Sequence, residues 1–152
     1  MNFEHENAVS GLEKITAAPA ERFPVLASWW SDSAVGWQHA TAAIMVDPNG
    51  RPTDPSRFAI RLAYVPECAR GERVQAIQPL LQRTLTEFND RELVIDCEVT
   101  DAPVLGFLEQ LGFRPTGTPP YVEHGTAVEW VMGYMDAAEA KVDLLRLAGP
   151  LA

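Results

Sequence analysis

The chain has 152 residues, of which 47% are hydrophobic, and a formal net charge of -9 at pH 7. A chain of this size can bury the core of one domain, and its apolar runs are too short for a membrane-spanning helix. Nucleic acids and anionic membranes bind basic surfaces, so the acidic balance argues against both as partners. A cationic or neutral substrate is the better match.

The spacing of the cysteine, histidine and serine residues argues against several common kinds of redox, metal and hydrolase site. Cys68 and Cys97 belong to no Cys-x-x-Cys motif, and the N-terminal residues contain neither a basic region nor an apolar run. These features predict a cytoplasmic protein with reduced thiols. The histidines His5, His39 and His124 lack the short spacing of a metal site, and Gly-x-Ser-x-Gly does not occur. We therefore expect neither metal catalysis nor a serine hydrolase.

The first part of the chain predicts two short helices and then a strand. Ser10-Gly-Leu-Glu13 has the form of a capping box, which begins a helix that Pro19 would end. A proline near its start favours a second helix over residues 23–30. Small and branched residues predict a strand over residues 37–46, and Asp47-Pro-Asn-Gly50 has the composition of a turn.

The middle of the chain predicts strands that alternate with helices. Apolar residues alternate over residues 57–65, as in a central strand with one face packed on helices. Apolar residues then recur at helical spacing from Ile77 to Phe88, and Pro79 favours a helix that begins near that residue. A short apolar strand follows at residues 93–95. Consecutive β-α-β units predict a right-handed crossover and a sheet that is parallel at this point.

The segment from Glu92 to Phe113 contains the most specific motif. Its strand is followed by Asp101-Ala-Pro-Val104 and by Phe107-Leu-Glu-Gln-Leu-Gly-Phe113. The segment resembles the fifth strand, the following helix and the Gly-Phe ending of the GNAT superfamily of acyl-CoA-dependent N-acetyltransferases, where the usual pattern is Asn-x-x-Ala-x-x-Leu/Phe-Tyr-Glu-x-x-Gly-Phe. The residues that fit include Glu109, Gly112 and Phe113. The residues that depart are Asp101, Val104 and Leu108, which replace Asn, Ala and Tyr.

The order of the predicted elements matches the same family over about residues 10–135. The resemblance implies one α/β domain spanning residues 1–152, with a mixed, twisted sheet flanked by helices and a cleft where the fourth and fifth strands splay. Residues 121–135 would supply the last strand region. A C-terminal helix over residues 136–149, which begins with a capping box and ends at Gly-Pro, is an addition to the family pattern.

The resemblance also implies that acetyl-CoA or another acyl-CoA binds where the helix after the fourth strand begins. The family uses Arg/Gln-x-x-Gly-x-Gly/Ala there, because phosphate approaches the backbone amides of a helix N-terminus. Two registers remain open. Counted from Arg70, the small positions are Arg73 and Gln75; counted from Arg73, they are Ala76 and Gln78. The candidate cofactor-binding residues are Tyr64, Val65, Arg70, Gly71, Arg73, Gln75 and Ala76.

Arginine side chains offer a substitute for the missing glycines. Five of the twelve basic residues lie between Arg51 and Arg73, in a chain that is otherwise acidic. Guanidinium groups pair well with phosphate oxygens, so an anion would be favoured here. The alternative is that these arginines only solvate the surface or pair with nearby carboxylates.

Proton transfer must rely on residues other than the family's usual tyrosine. That tyrosine protonates the leaving thiolate, whereas Leu108 at the matching position cannot exchange a proton and is expected in the core. Asp96 and Glu98 share one face of the fifth strand, where burial and like charge would raise a carboxylate pKa toward the range of a general base. The candidate catalytic residues are Glu98, Asp96, Tyr121 and His124.

Two functions follow from the resemblance. The first is transfer of an acetyl or other acyl group from acyl-CoA to the amine of a small molecule or protein, with no metal and with a second copy of the chain as a candidate partner. The second is a GNAT-like protein that has lost this transfer and acts in binding or regulation, or catalyses a different reaction in the same cleft. The departures at Asp101, Leu108 and the glycine positions favour the second.

Overall fold

The computed structural model describes residues 11–49, 57–88, 90–98, 101–115 and 127–148. Its strands are β1 (Glu13–Ile15), β2 (Val35–Gln38), β3 (Ala42–Asp47), β4 (Phe58–Tyr64), β5 (Leu93–Glu98), β6 (Arg114–Pro115) and β7 (Ala127–Met132). Its helices are α1 (Pro24–Trp29), α2 (Arg73–Glu87), α3 (Ala102–Leu111) and α4 (Tyr134–Ala148), and a 3-10 turn (Arg70–Glu72) precedes α2. The strands form one seven-stranded sheet in the order β1-β2-β3-β4-β5-β7-β6.

The sheet is mixed. β4 and β5 pair in parallel, and the other neighbouring strands pair antiparallel. α2 connects the two parallel strands, as a β-α-β crossover requires. The predicted fold class, a mixed sheet flanked by helices, is therefore confirmed.

Both faces of the sheet are covered. Side chains alternate between the two faces along each strand, so neighbouring residues of one strand belong to different cores. On one face, Ile44, Ile60 and Ile95 join the larger core with residues of α2, α3 and α4. On the other face, Met45 and Ala63 pack with Phe23 and Leu26 in a smaller core, which includes residues of α1. The sequence predicted one helix-covered face for β4; the structure places a helix on each side.

The helix predicted from the capping box is wrong. Residues 13–15 form β1, which pairs antiparallel with β2 so that Lys14 lies opposite Trp37. Ile15 is buried in the smaller core, whereas Glu13 and Lys14 remain exposed. Pairing with β2 therefore outweighs a local capping pattern that satisfies only a few amides. Ser10, the first residue of that pattern, lies outside the described residues.

The strand predicted over residues 37–46 is two strands. β2 and β3 form a hairpin, and the amide of His39 donates to the carbonyl of Ala42 at 3.0 Å across its turn. The turn residues His39-Ala40-Thr41 include no Gly, Pro, Asn or Asp, so the turn had no recognisable composition in the sequence. Gly36 permits the close pairing, since an added Cβ would overlap the Ile44 carbonyl oxygen.

The predicted amphipathic helix is confirmed, but its start is wrong. α2 begins at Arg73, and Pro79 lies inside it. Proline supplies no N-H to the helix ladder, which normally weakens a helix interior. A side chain reinforces this part of α2: Nε2 of His39 lies 2.6 Å from the Ala76 carbonyl oxygen, and the Thr41 amide donates to Nδ1 at 3.2 Å. Since Nδ1 accepts, Nε2 carries the hydrogen and donates to Ala76.

α1, the turn at Asp47 and α4 agree with expectation, whereas β6 (Arg114–Pro115) was not predicted. α1 matches the helix predicted over residues 23–30, and the Asn49 amide donates to Oδ1 of Asp47 at 3.0 Å in the predicted turn. α4 matches the added C-terminal helix and buries Ala137, Ala140 and Leu144. None of the described helices is both long and apolar enough to cross a membrane.

Candidate functional site

A cleft opens where β4 and β5 stop pairing. Their parallel register covers Phe58↔Leu93, Ala59↔Val94 and Ile60↔Ile95. Among the described residues the register ends there, although β4 continues to Tyr64 and β5 to Glu98. The two carboxyl ends therefore separate, at the edge where open α/β sheets place their ligands.

A buried ion pair lies beside the cleft on the face toward α1. Nη1 of Arg61 lies 3.2 Å from Oδ2 of Asp96, and the two side chains are only 7% and 9% exposed. The guanidinium carbon of Arg61 stacks 3.9 Å from the ring centroid of Trp29 in α1. The Asp96 carboxylate, a candidate base in the sequence, is engaged by the Arg61 guanidinium. Asp96 is thus part of a packed charge pair.

Glu98, the first candidate base, follows Asp96 on the same face of β5, because side chains alternate along a strand. Its backbone pairs with Ala127 of β7. Its side chain lies outside the described part of the structure, as do Tyr121 and His124 altogether. Of the four catalytic candidates, the structure therefore gives side-chain contacts for Asp96 alone.

A second charged cluster lies on the opposite side of the cleft, where α2 and α3 begin. Nη1 of Arg73 lies 2.9 Å from Oδ2 of Asp101, and the guanidinium carbon lies 4.5 Å from the ring centroid of Tyr64. The side chain of Arg73 is 17% exposed and that of Asp101 is 3% exposed. Arg73 thus links the first residue of α2 to the residue that precedes α3.

Tyr64 at the end of β4 is held in its neutral form. Burial raises the pKa of its phenol well above the usual range, and the nearby Cys97 and Asp101 raise it further, while Arg73 opposes them. Burial and the neighbouring Glu72 likewise raise the pKa of the Cys68 thiol. Tyr64 is therefore protonated at neutral pH and cannot serve there as a general base.

The helix start places the two cofactor registers differently. Counting from Arg70 makes the motif span the 3-10 turn and the first residues of α2, whereas counting from Arg73 puts all of it inside the helix. The family motif lies at the helix start, so the register from Arg70 is favoured. Arg73 and Gln75 then replace the two small residues.

The other cofactor candidates surround this start. Arg70, Gly71 and Gln75 are exposed, and Ala76 is buried with its carbonyl bonded to His39. The amide of Val65 donates to the Thr41 carbonyl at 3.0 Å. A Cβ added at Gly71 would meet no atom within 4 Å, so no close backbone contact among the described residues requires glycine there.

Pairing with carboxylates accounts for most of the arginine cluster. Arg57 pairs with Glu92, Arg61 with Asp96 and Arg73 with Asp101. Arg70 is exposed on the 3-10 turn, and Arg51 lies outside the described residues. The alternative that the sequence left open, neutralisation by nearby acidic residues, therefore applies to three of the five.

Leu108 is a core residue, as the sequence predicted. It is completely buried, as is Val104 one helical turn earlier.

A solvent-open pocket of about 450 Å³ lies beside α2 and is lined by Gly11, His39, Ala40, Thr41, Glu72, Gln75, Ala76 and Pro79. Among the described residues no group of three His, Cys, Asp or Glu side chains could hold a metal ion.

Solved structures resemble this arrangement of strands, helices and cleft at low sequence identity. The E. coli ribosomal-protein-S18-alanine N-acetyltransferase superposes with a TM-score of 0.54 and 14% identity, covering 81% of this chain and 94% of its own. A spermidine N-acetyltransferase chimera built from the Vibrio cholerae and hSSAT proteins gives 0.53 and 12%, covering 84% and 98%. The chain has a divergent GNAT-like fold. An uncharacterised Bacillus halodurans protein gives 0.57 and 11%, covering 80% and 69%.

No family model and no curated protein matches the sequence. At such low identities the similarity to these structures describes the fold alone. Sequence reasoning missed the pairing of Arg73 with Asp101 and the stacking of Arg61 on Trp29. A pattern was available for the first pair, because both residues depart from the family motif.

Proposed function

We propose that this protein transfers an acyl group from acyl-CoA to an amine. The observation that carries the proposal is the separation of β4 and β5 beyond Ile60 and Ile95, in a GNAT-like fold whose helix α2 begins soon after β4. This separation leaves room between the strands for the acyl-bearing arm of the cofactor. In the reaction the amine nitrogen bonds to the acyl carbon, the carbon-sulfur bond breaks, and the thiol leaves with a proton.

Residues at the start of α2 suit the phosphates of acyl-CoA. The first amides of a helix have no intrahelical acceptor, and the helix dipole makes this end positive. In α2 these include the amides of Val74 and Gln75, and the N-cap residue Glu72 makes no side-chain cap bond. Arg70 on the preceding turn adds a positive charge. When bound, acyl-CoA would supply the activated acyl thioester.

Acidic positions on the other side of the cleft favour an amine as acceptor. Asp96 itself is paired with Arg61, but Glu98 shares its strand face, and Glu129 occupies the register position opposite Asp96 on β7. A cationic amine would be attracted to this face. Two of the similar structures are named as acetyltransferases of an alanine of a ribosomal protein and of spermidine, so both a protein and a small-molecule amine are reasonable acceptors.

Calorimetry with free CoA tests the cofactor half of the proposal. The parent protein should bind CoA with a dissociation constant near the micromolar range, which corresponds to about -8 kcal/mol. Arg70→Ala should weaken binding about tenfold, because it removes a charge beside the phosphates. The control is Arg91→Ala, the same charge change at the start of β5 and thus at the other end of the sheet. If the parent gives no heat and no thermal shift, the proposal is wrong.

The base is tested by Glu98→Gln, which keeps the shape of the side chain but removes its proton acceptor. We expect kcat to fall by about 10²-fold or more with little change in melting temperature. Glu109→Gln, an exposed position on α3, is the matched control. If Glu98→Gln keeps full activity and an unchanged pH profile, Glu98 is not the base, and Tyr121 and His124 become the residues to replace.

A second candidate function is a GNAT-like protein without acyl transfer, which binds a ligand for regulation or catalyses another reaction in this cleft. Two observations favour it: Leu108 is a fully buried core residue at the family's proton-donor position, and Arg73 is turned onto Asp101 and Tyr64. CoA binding without turnover on any amine tested would support this candidate over the first.

The remaining expectations form part of the same proposal. We propose one domain over residues 1–152, a cytoplasmic location, and no nucleic-acid or membrane partner, in keeping with the net charge of -9. The proposal includes a homodimer. Sedimentation of the purified protein over a range of concentrations measures the oligomeric state directly.

A further inference from the structure

The two departures from the family motif contact each other. Counted from Arg70, Arg73 replaces the first small residue of the phosphate motif, and Asp101 replaces the asparagine that precedes α3. They lie 28 residues apart in sequence, and their side chains form an ion pair with a 2.9 Å contact. The pair joins the start of α2 to the start of α3, the helices that follow β4 and β5 beyond the point where these strands stop pairing.

Asp101 makes this contact at the expense of its local role. Aspartate before a helix usually accepts hydrogen bonds from the first amides of that helix. Asp101 is the N-cap residue of α3 but makes no side-chain cap bond. Its residue is 2% exposed, and within the described part of the chain Oδ1 has no hydrogen-bond partner. Burying a carboxylate with one oxygen unsatisfied is costly, so Arg73 is the main compensation for its charge.

Arg73 is also the first residue of α2, the helix start at which the proposed function expects the CoA phosphates. We propose that the Asp101 carboxylate is an internal substitute for a cofactor phosphate: it holds the Arg73 guanidinium against Tyr64 and closes the cleft until CoA displaces it. The inference rests on the proposed function, since CoA is the competing anion. Only molecules with the pair open bind productively, so the measured affinity falls in proportion to their fraction.

The test is CoA calorimetry and ligand-free thermal unfolding of Asp101→Asn, which restores the family residue and removes the competing charge. We expect CoA to bind about tenfold more tightly, because Arg73 is released. We also expect the ligand-free protein to melt at a lower temperature, because the ion pair is lost. A gate therefore predicts a higher CoA affinity together with a lower melting temperature. Loss of a merely structural contact would lower both the affinity and the melting temperature.

Two further variants keep the test interpretable. Glu92→Gln removes one negative charge from the Arg57 pair at the opposite end of β5 and should leave CoA affinity unchanged. Asp101→Ser removes the same charge as the main variant, but its hydroxyl can cap α3. If the Asp101→Asn protein does not fold, the Asp101→Ser protein is used for the test, and the same gain in CoA affinity is expected.

The outcomes separate this inference from the proposed function. If the parent binds CoA and the Asp101 variants bind it equally or more weakly, the gate is wrong and the cofactor half of the proposed function stands. If only the Asp101 variants bind CoA, the gate is supported as a closed lock and the parent is not a CoA-dependent enzyme. If neither the parent nor the variants bind CoA, both proposals are wrong.

Discussion

Replacing Leu108 with alanine is expected to lower the free energy of unfolding by about 2–5 kcal/mol, the range for truncation of a buried leucine. Leu108 is completely buried in the larger core, on the face of α3 that also carries Val104 and Leu111. Removing its branched end leaves a cavity that fixed neighbouring strands and helices can fill only in part. Urea unfolding followed by far-UV circular dichroism measures the loss.

Leu105→Ala is the matched control on the same helix. Leu105 is only partly buried and packs at the edge of the larger core. Its truncation removes the same atoms but less buried contact, so the loss should be clearly smaller than for Leu108. Equal losses at the two positions, or a loss below about half a kcal/mol at Leu108, would show that α3 packs with another face.

The elements that the sequence predicted correctly are those whose apolar residues recur at a regular spacing. α2 repeats apolar residues at helical spacing from Ile77, and β4 alternates from Phe58 to Tyr64; both elements exist as predicted. Local chemistry was less reliable. The capping-box pattern near Glu13 gave way to pairing with β2, and Pro79 did not set the start of α2. In both cases contacts distant in sequence outweighed a local preference.

The sequence predicted where β4 and β5 stop pairing, but it did not predict the side-chain contacts on either side. Resemblance to the family located the cleft between β4 and β5 and identified Arg73 and Asp101 as departures. It could not show that these two residues meet, because an ion pair between residues far apart in sequence depends on where α2 and α3 begin. The same holds for Arg61, which pairs with Asp96 on the neighbouring strand and stacks on Trp29 of α1.

The Arg61–Asp96 pair provides the second large effect. Replacing Asp96 with alanine should lower the free energy of unfolding by about 3–5 kcal/mol, because it leaves a guanidinium buried without this carboxylate. Both side chains are less than one tenth exposed, and Trp29 covers Arg61 from the side of α1. The cost therefore comes mainly from desolvated charge, with only a small share from lost packing.

A double replacement separates these two causes. Arg61→Met with Asp96→Leu removes both charges and keeps apolar volume, so most of the stability lost in Asp96→Ala should return. Glu92→Ala, which breaks the more exposed pair with Arg57, should cost at most about 1 kcal/mol. Urea unfolding of all four proteins gives the comparison. If the double variant is no more stable than Asp96→Ala, buried charge is not the cause, and packing around Trp29 holds this face of the cleft together.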